Sequence, residues 1–538
     1  MLTYIKKNKF QNIILLLIII TNMALYVYGN YLKVNLVNAL MKSNISKGLF
    51  WFLLSLIIFL IMMIIRKIEV VQTEKTTQTQ LNLIRKDILK NLTSLTYQEF
   101  SKESKDQYNS WLNNDAILLD TDGYKEIYFM IENIFLVLFS SFALFTFHWI
   151  LFATTLGLAL ILLILPKLFQ KKMVKATQEV SNSAEKALKE SNDKLKGYEV
   201  IYHNRQFDFF TSRLLQVYEQ LKAVKISKAK LVSTAMMCTV GLSFLSQSVI
   251  LGVNALLAFQ HIVLLGTLLV SGNFAGNIFN GLNTIADCFT IALGTDKLLT
   301  KYPKVSNQRE SKSVSTFEKK LSFENISIKL GDKKITYPNF EIKKGKKYAI
   351  VGESGSGKTT LIQLLNGDLE DYQGTIKLDG LDYKIIDKGK LQSIIATISQ
   401  FPYLFNDSLK ENLKMNREIT DEKLEKVLKE VKAEDFLKGK LTNKFDNNLS
   451  GGQQQRVAIA RELLGEKPIL IMDESTASLD KLTALAVEQS ILQNPSLTVI
   501  MITHHFYAET RPYFDEVIEL QKFTDRFSVS KFIHRKNH

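Results

Sequence analysis

Long apolar runs fill the first 299 residues of the chain and constrain its fold more than any other feature. A helix needs about 20 apolar residues to cross the roughly 30 Å hydrocarbon core of a bilayer. Six segments meet that requirement, and we expect a membrane-spanning helix in each: residues 12–29, 49–65, 127–147, 149–170, 231–259 and 262–294. No small-residue cleavage site follows the first segment, so we interpret it as a retained anchor and not as a signal peptide.

Polar segments rich in lysine and arginine separate the apolar runs at two places, residues 66–126 and 170–230. Because basic residues accumulate on the cytoplasmic side of membrane proteins, we expect both segments, and the N-terminus, in the cytoplasm. Their helical periodicity and few prolines or glycines predict long helical extensions of the spans. Residues 111–122 and 197–210 are expected to form short transverse helices at the tips, with a solvated charged face as the alternative.

The formal net charge of +15 does not indicate a nucleic-acid partner, because the basic residues fall mostly between apolar runs, where membrane topology explains them. Cys238 and Cys288 lie in apolar stretches and predict no disulfide framework. A chain of 538 residues exceeds one ordinary domain. We place a helical membrane domain at residues 1–300, a polar linker at 301–317 and an α/β domain at 318–538.

A glycine-rich loop opens the second half of the chain. Residues 347–351, "KYAIV", predict a buried strand and residues 359–366 a helix, with the pattern G-x-x-x-x-G-K-T between them. In this arrangement backbone N–H groups face phosphate oxygens, a lysine adds positive charge, and a hydroxyl is available to Mg²⁺. We expect the loop to bind ATP through Gly352, Glu353, Ser354, Gly355, Ser356, Gly357, Lys358, Thr359 and Thr360.

Two further apolar strands, "PILIM" and "LTVIMI", end in polar residues. The first is followed by Asp473, whose carboxylate suits Mg²⁺, and by Glu474, which is placed to orient and deprotonate an attacking water. The second is followed by Thr503 and His504. We expect His504 to contact the γ-phosphate, with a structural histidine as the alternative and His505 as its neighbour.

The stretch "NLSGGQQQR" provides a second cluster of glycine, serine and amide side chains. Ser450 and the glycines precede a helix that we expect to begin near Gly452, and this helix N-terminus offers another anion-binding site. One nucleotide has no use for two such sites from the same face of one domain. Two copies related by a twofold axis would instead each lend residues 449–453 to the nucleotide of the other.

Together these motifs resemble the ATPase domain of ABC transporters, over residues 318–522. The resemblance identifies the Walker A loop at residues 352–360, the Q-loop glutamine at Gln400, the signature at Leu449, Ser450, Gly451, Gly452 and Gln453, Walker B at 469–474, the D-loop at 478–480 and the switch histidine at His504. It implies that Glu474, His504 and Gln400 are catalytic, that Thr359, Gln400 and Asp473 hold Mg²⁺, and that Asp480 belongs to the nucleotide site.

Six spans before such a domain, and "NNDA" at residues 113–116, resemble the fused half-transporters of bacterial exporters. The resemblance implies a multi-pass cell-membrane protein with its N-terminus and ATPase domain in the cytoplasm, ATP and Mg²⁺ as cofactors, and coupling helices within residues 101–122 and 197–210. It also implies a homodimer, with a heterodimer as the alternative, and export of a peptide or other amphipathic substrate. An importer of the same architecture and an ATP-gated sensor or channel are the other interpretations.

Two stretches bear on ligand contacts. The family stacks adenine on an aromatic residue where this chain has Leu330, and Tyr337, the nearest aromatic, is out of register. The small and amide residues of 271–287 are expected to serve helix packing, with substrate contact as the alternative.

Overall fold

The computed structural model describes residues 1–162, 164–302, 316–330, 333–353, 355–437, 441–442, 444, 449–503, 507–520 and 531–532. The chain divides into two compact units. The first comprises Met1–Thr93 and Ser104–Lys304, and the second comprises Ser94–Glu103 and Val305–His538. Most of the linker expected at residues 301–317 lies outside the described residues.

Helices make up the N-terminal part of the chain. They are α1 (Leu2–Lys7), α2 (Lys9–Met41), α3 (Ile45–Leu92), α4 (Tyr97–Phe100), α5 (Lys105–Leu112), α6 (Asn114–Leu118), α7 (Glu126–Phe147), α8 (Trp149–Leu162), α9 (Leu165–Lys196), α10 (Tyr198–His203), α11 (Phe207–Phe259) and α12 (Leu268–Asp296). A π-helical turn at Leu119–Lys125 joins α6 to α7, and 3₁₀ turns lie at Leu265–Thr267 and Lys297–Thr300.

Four helices among the described residues are long and apolar enough to cross a membrane: α2, α3, the continuous helix Lys105–Phe147, and α11. They contain four of the six predicted spans. The predicted span at 149–170 coincides with the shorter apolar helix α8 and the start of α9. The predicted span at 262–294 coincides with α12, which begins only at Leu268 and is less apolar because it carries asparagines and glycines.

Three of the small and polar residues of α12, Ser271, Asn277 and Gly281, serve helix packing, as predicted. Asn254 of α11 donates a hydrogen bond to Ser271 over 2.8 Å, and Asn277 donates one to Ser140 of α7 over 3.2 Å. A Cβ atom on Gly281 would lie 2.6 Å from the side chain of Val137, so only glycine permits this approach of α12 to α7. These contacts hold α12 against its neighbours through the groups that make it less apolar.

The sequence predicted a short helix in each of two segments. The structure has such a helix in one segment, and the prediction for the other segment is wrong. α10 lies within residues 197–210, as predicted. Residues 111–122 instead continue through the π-helical turn into α7, because Trp111 and Tyr124 are buried in the first unit. The separate short helix is α4, which begins at a capping box formed by Thr96 and Glu99.

Strands and helices alternate in the C-terminal part of the chain. They are β1 (Lys320–Leu330), β2 (Lys333–Thr336), β3 (Phe340–Lys343), β4 (Lys347–Gly352), α13 (Lys358–Leu365), β5 (Gln373–Leu378), β6 (Leu381–Asp382), α14 (Lys388–Ile394), β7 (Ile395–Ile398), α15 (Leu409–Lys414), α16 (Asp421–Glu430), α17 (Glu434–Leu437), α18 (Gly451–Leu463), β8 (Ile469–Asp473), α19 (Lys481–Gln493), β9 (Thr498–Thr503), β10 (Glu516–Leu520) and β11 (Lys531–Phe532). 3₁₀ turns lie at Tyr383–Ile385 and Arg511–Tyr513.

Two sheets organise this unit. One has the order β11-β10-β4-β9-β8-β7, parallel except for β11, and the other is antiparallel with the order β2-β1-β5-β6 and β3 beside β1. The three apolar strands predicted from the sequence are β4, β8 and β9, and their buried centres explain the continuous apolar runs. Val351 pairs with Thr503 and Asp473 with Ile502, so these strands end at one edge.

Candidate functional site

The loop between β4 and α13 requires glycine at three positions. A Cβ atom on Gly352 would lie 2.5 Å from the Ser356 hydroxyl oxygen and 2.6 Å from the Leu520 carbonyl oxygen. Gly355 and Gly357 have φ angles of +81° and +89°, in the left-handed region that favours glycine. The Ser356 hydroxyl is buried and has no hydrogen-bond partner among the described residues. Tight turns and an unsatisfied hydroxyl fit a loop that closes around an anion.

Lys358 begins α13 and is only 8% exposed. Its ammonium group donates hydrogen bonds to the carbonyl oxygens of Gly352 and, over 3.2 Å, of Glu353. Burial lowers the pKa of Lys358, while the negative charges of Glu474 and Asp473 oppose that shift. The loop lysine therefore lies within electrostatic range of Asp473, the last residue of β8, and of Glu474, which follows it. Of the other loop residues, Ser354 lies outside the described residues.

Glu474 stands where β8 ends, and its backbone is in the left-handed region with φ of +47°. Its N–H group donates to the Ile502 carbonyl oxygen over 2.9 Å, and its carboxylate accepts a hydrogen bond from the Gln400 side chain over 2.9 Å. A left-handed glutamate costs about 1 kcal/mol or more, and such strain concentrates at functional sites. The structure thus joins two residues, Gln400 and Glu474, that the sequence predicted separately. His504 lies outside the described residues, so its role stays a prediction.

The signature stretch forms the start of α18, one residue earlier than predicted. Ser450 is the N-cap: its hydroxyl accepts from the Gln453 N–H over 3.3 Å, and its own N–H donates to the Gln453 side chain over 2.9 Å. This capping box satisfies two donors that the helix end would leave free. Leu449 precedes the cap and accepts a hydrogen bond from the Gln454 side chain over 3.0 Å.

The two signature glycines have different surroundings. A Cβ atom on Gly452 would lie 3.0 Å from the Ser478 carbonyl oxygen and 3.3 Å from the Leu479 side chain, so α18 begins in close contact with the D-loop. A Cβ atom on Gly451 would meet no atom within 4 Å in the described part of the chain. Gly451 and Ser450 are exposed, and they face open space on this surface.

Asp480 serves as the N-cap of α19 and accepts a hydrogen bond from the Thr483 N–H over 3.0 Å. That backbone hydrogen bond holds the pKa of Asp480 below its usual value. Capping explains an acid at this position without a ligand, so the predicted nucleotide contact of Asp480 stays a prediction.

Two hydrogen bonds near the site were not predicted from the sequence. Gln455, 1% exposed, donates a hydrogen bond to the Ser399 carbonyl oxygen over 3.2 Å and so ties the signature helix to the residue before Gln400. Tyr337 donates from its hydroxyl group to the Gly357 carbonyl oxygen over 2.7 Å. The sequence placed both residues near known motifs, but no spacing rule predicts which polar atoms meet.

Family models match both halves of the chain: that of the ABC transporter transmembrane region over residues 12–282, and that of the ABC transporter over residues 335–477. A solved structure described as a bacterial Atm1-family ABC exporter with ATP bound shares the fold. It covers 97% of this chain and 94% of its own, with a TM-score of 0.77 at 18% identity.

Curated relatives match over shorter stretches. The ATP-dependent lipid A-core flippase of Desulfotalea psychrophila is 32% identical over 210 residues, 37% of this chain and 36% of that protein. The beta-(1→2)glucan export ATP-binding/permease protein NdvA of Agrobacterium vitis is 41% identical over 165 residues, 29% of this chain and 28% of that protein. The glutathione/L-cysteine transport system ATP-binding/permease protein CydD of Bacillus subtilis is 34% identical over 168 residues, 30% of this chain and 29% of that protein.

The alignments thus span about a third of the length of the relatives, or less. The transmembrane model by contrast matches half of this chain, and the second model matches the stretch from β2 to the residues after Walker B. The chain therefore belongs to the ABC transporter family, with the transmembrane region and the ATP-binding region of that family fused in one polypeptide.

Proposed function

We propose that this protein is an ATP-driven exporter of the half-transporter type, working as a pair of identical chains in the cell membrane. The observation that carries the proposal is the convergence of Lys358, Asp473, Glu474 and Gln400 in a chain that also holds membrane-length apolar helices. We place the N-terminus and the ATPase domain in the cytoplasm, and the domain boundaries at residues 1–300, 301–317 and 318–538.

In the proposed reaction, the loop residues and the first N–H groups of α13 bind the phosphates of ATP, and Lys358 offsets their charge. A water molecule attacks the γ-phosphorus, the bond to the bridging β–γ oxygen breaks, and ADP and phosphate are released. Glu474 orients this water and accepts its proton, and the Gln400 amide, 2.9 Å away, holds the Glu474 carboxylate in place. His504 is proposed to contact the γ-phosphate.

The residues present fit a magnesium ion. The Thr359 side chain is exposed on the first turn of α13, Asp473 ends β8 beside the loop lysine, and Gln400 keeps its amide oxygen as an acceptor. Bound Mg²⁺ would offset the negative charge of the phosphate groups. We assign Mg²⁺ to the nucleotide-loaded site, with Thr359, Asp473 and Gln400 as the residues that would hold it.

The signature stretch supports a site shared by two copies. Its capping box already uses the Ser450 hydroxyl within the chain, yet the described residues leave open space beside Gly451. We propose that the nucleotide of the second copy occupies this space. The chain carries Glu474 and the whole signature itself, so two identical copies would form two equal sites, and nothing requires a different partner chain.

Gly451→Val tests whether the nucleotide of the second copy lies beside Gly451. A Cβ atom at this position has no neighbour within 4 Å among the described residues outside the adjoining backbone, so the melting temperature should stay within about 2 °C of the parent. ATP hydrolysis should nevertheless fall at least about tenfold, because the side chain intrudes on the second copy's nucleotide. An unchanged hydrolysis rate would show that this surface stays uncovered, and a large drop in melting temperature would show that Gly451 serves folding instead.

The substrate is proposed to be amphipathic, and a peptide remains our first candidate. The relatives differ in what they are named for: lipid A core in a flippase, beta-(1→2)glucan in an exporter, and glutathione and L-cysteine in a transport system. These names do not favour one class of substrate. Ser271 and Asn277 of α12 already form hydrogen bonds with Asn254 and Ser140, so we do not assign these two residues to the substrate.

Transport in proteoliposomes tests the proposal. Vesicles with the ATPase domain facing outwards are given Mg²⁺ and ATP with labelled peptides, lipids or drugs, and Glu474→Gln vesicles serve as the blank. Accumulation of one class inside, absent from the blank, is the expected result. ATP-dependent loss of preloaded cargo would identify an importer instead, and hydrolysis with ion leakage but no cargo movement would identify an ATP-gated channel or sensor.

A further inference from the structure

A tyrosine holds the phosphate-binding loop from the side. Tyr337 follows β2 and is 3% exposed. Its backbone N–H donates to the Ile326 carbonyl oxygen of β1 over 2.8 Å, and its hydroxyl donates to the Gly357 carbonyl oxygen over 2.7 Å. One end of the residue is thus fixed to the antiparallel sheet, and the other end is fixed to the loop.

The Gly357 carbonyl group lies at the start of α13 and accepts two hydrogen bonds. The first comes from the Tyr337 hydroxyl, and the second comes from the Leu361 N–H over 2.9 Å and starts α13. Gly357 is the N-cap of this helix, and the peptide it shares with Lys358 sets the direction of the first free N–H group of the helix. Because two donors hold the carbonyl oxygen, the peptide cannot rotate without the loss of both hydrogen bonds.

The Tyr337 hydroxyl lies so close to Gly357 that only glycine fits at this position of the loop. A Cβ atom on Gly357 would lie 2.9 Å from the Tyr337 hydroxyl oxygen, so the tyrosine and the left-handed glycine fit each other. Burial raises the pKa of Tyr337, against a smaller opposing effect of a hydrogen bond with the Thr360 side chain, so the hydroxyl remains a donor at neutral pH. The buried ring has no free face to offer to a nucleotide base.

We propose that Tyr337 is a positioning residue for nucleotide binding, whose hydroxyl group fixes the Gly357–Lys358 peptide in the orientation that the triphosphate requires. The ring does not stack on the base. This inference rests on the proposed function only in that the ligand of the loop is a nucleoside triphosphate.

Tyr337→Phe and Tyr337→Leu in the full chain separate the hydroxyl from the ring. Loss of one buried hydrogen bond should weaken Mg²⁺–ATP binding by about fivefold in Tyr337→Phe, measured by equilibrium titration in the Glu474→Gln background. In the parent background the same change should raise the KM for ATP by about fivefold and leave kcat within about twofold. Tyr337→Leu should bind ATP no more tightly than Tyr337→Phe.

Tyr348→Phe is the matched control. Tyr348 is also 3% exposed, and its hydroxyl accepts a hydrogen bond from the Lys343 N–H over 2.8 Å, away from the loop. We expect its ATP affinity to equal that of the parent. Parental affinity in Tyr337→Phe, or an equal loss in Tyr348→Phe, would overturn the positioning role. Failure of the Glu474→Gln parent itself to bind ATP would overturn the proposed function as well.

Discussion

Glu474→Gln is expected to lower Mg²⁺-dependent ATP hydrolysis by about 10²–10³-fold while ATP affinity stays within about twofold of the parent. Glutamine has the shape of glutamate but cannot accept the proton of the attacking water. The backbone at this position is already held by the hydrogen bond from the Glu474 N–H to Ile502, so the side chain can change without moving the strand end. The rate is measured by phosphate release and the affinity by equilibrium titration.

Glu425→Gln provides the control for this prediction. Glu425 is exposed on α16, so the substitution removes the same charge away from the loop. We expect its hydrolysis rate to equal that of the parent. Parental hydrolysis in Glu474→Gln would remove the assigned role of general base, and a loss of ATP affinity in that variant would assign Glu474 to binding instead.

Ser450→Arg is expected to lower steady-state ATP hydrolysis by about 100-fold, because the new side chain fills the space proposed for the nucleotide of the second copy. Ser450 is exposed, so the arginine has room within its own chain. The loss of its capping bond with the Gln453 N–H costs about 1 kcal/mol of stability. ATP binding by the loop of the same chain should persist, as measured by titration at low protein concentration.

Thr420→Arg is the control that separates a blocked nucleotide site from the loss of a helix cap. Thr420 is likewise exposed, and as the N-cap of α16 it accepts a hydrogen bond from the Lys423 N–H over 3.4 Å. The substitution adds the same bulk and charge and loses the same kind of cap, so its hydrolysis rate should stay within about twofold of the parent. Equal losses in the two variants would assign the effect to helix stability, and parental hydrolysis in Ser450→Arg would reject the shared site.

The sequence predicted three of the six strands of the mainly parallel sheet, because buried parallel strands are continuous apolar runs. β4, β8 and β9 are continuous apolar runs that end at Gly352, Asp473 and Thr503, and their predicted bounds differ from the observed ones by one residue. The same pattern predicted Asp473 and Glu474 as site residues, since the ends of parallel strands meet at one edge of the sheet. By contrast, the order of the antiparallel strands depends on long-range pairing that no local pattern records.

The short helices and the side-chain contacts were predicted less well, for local physical reasons. A helix of four residues such as α4 is too short to show periodicity, and only its capping box, Thr96 with Glu99, marks it in the sequence. Residues 111–122 contain polar groups that suggested a tip, but buried Trp111 and Tyr124 keep them in a long helix. The hydrogen bond between Gln400 and Glu474, like that of Tyr337, joins residues far apart in the chain, and only the folded structure shows it.

The central claim, that two copies of the chain share each ATP site, is tested most directly by combining two inactive variants. Lys358→Ala removes the ammonium group of the loop, and Ser450→Arg blocks the signature, so each homodimer should be nearly inactive. A mixed dimer, purified through two different tags, contains one site with an intact loop from one chain and an intact signature from the other.

We predict that the mixed dimer hydrolyses ATP at least about tenfold faster than either homodimer, since one composite site is restored. A mixed dimer no faster than the two homodimers would contradict the account, because each ATP site would then lie within a single chain.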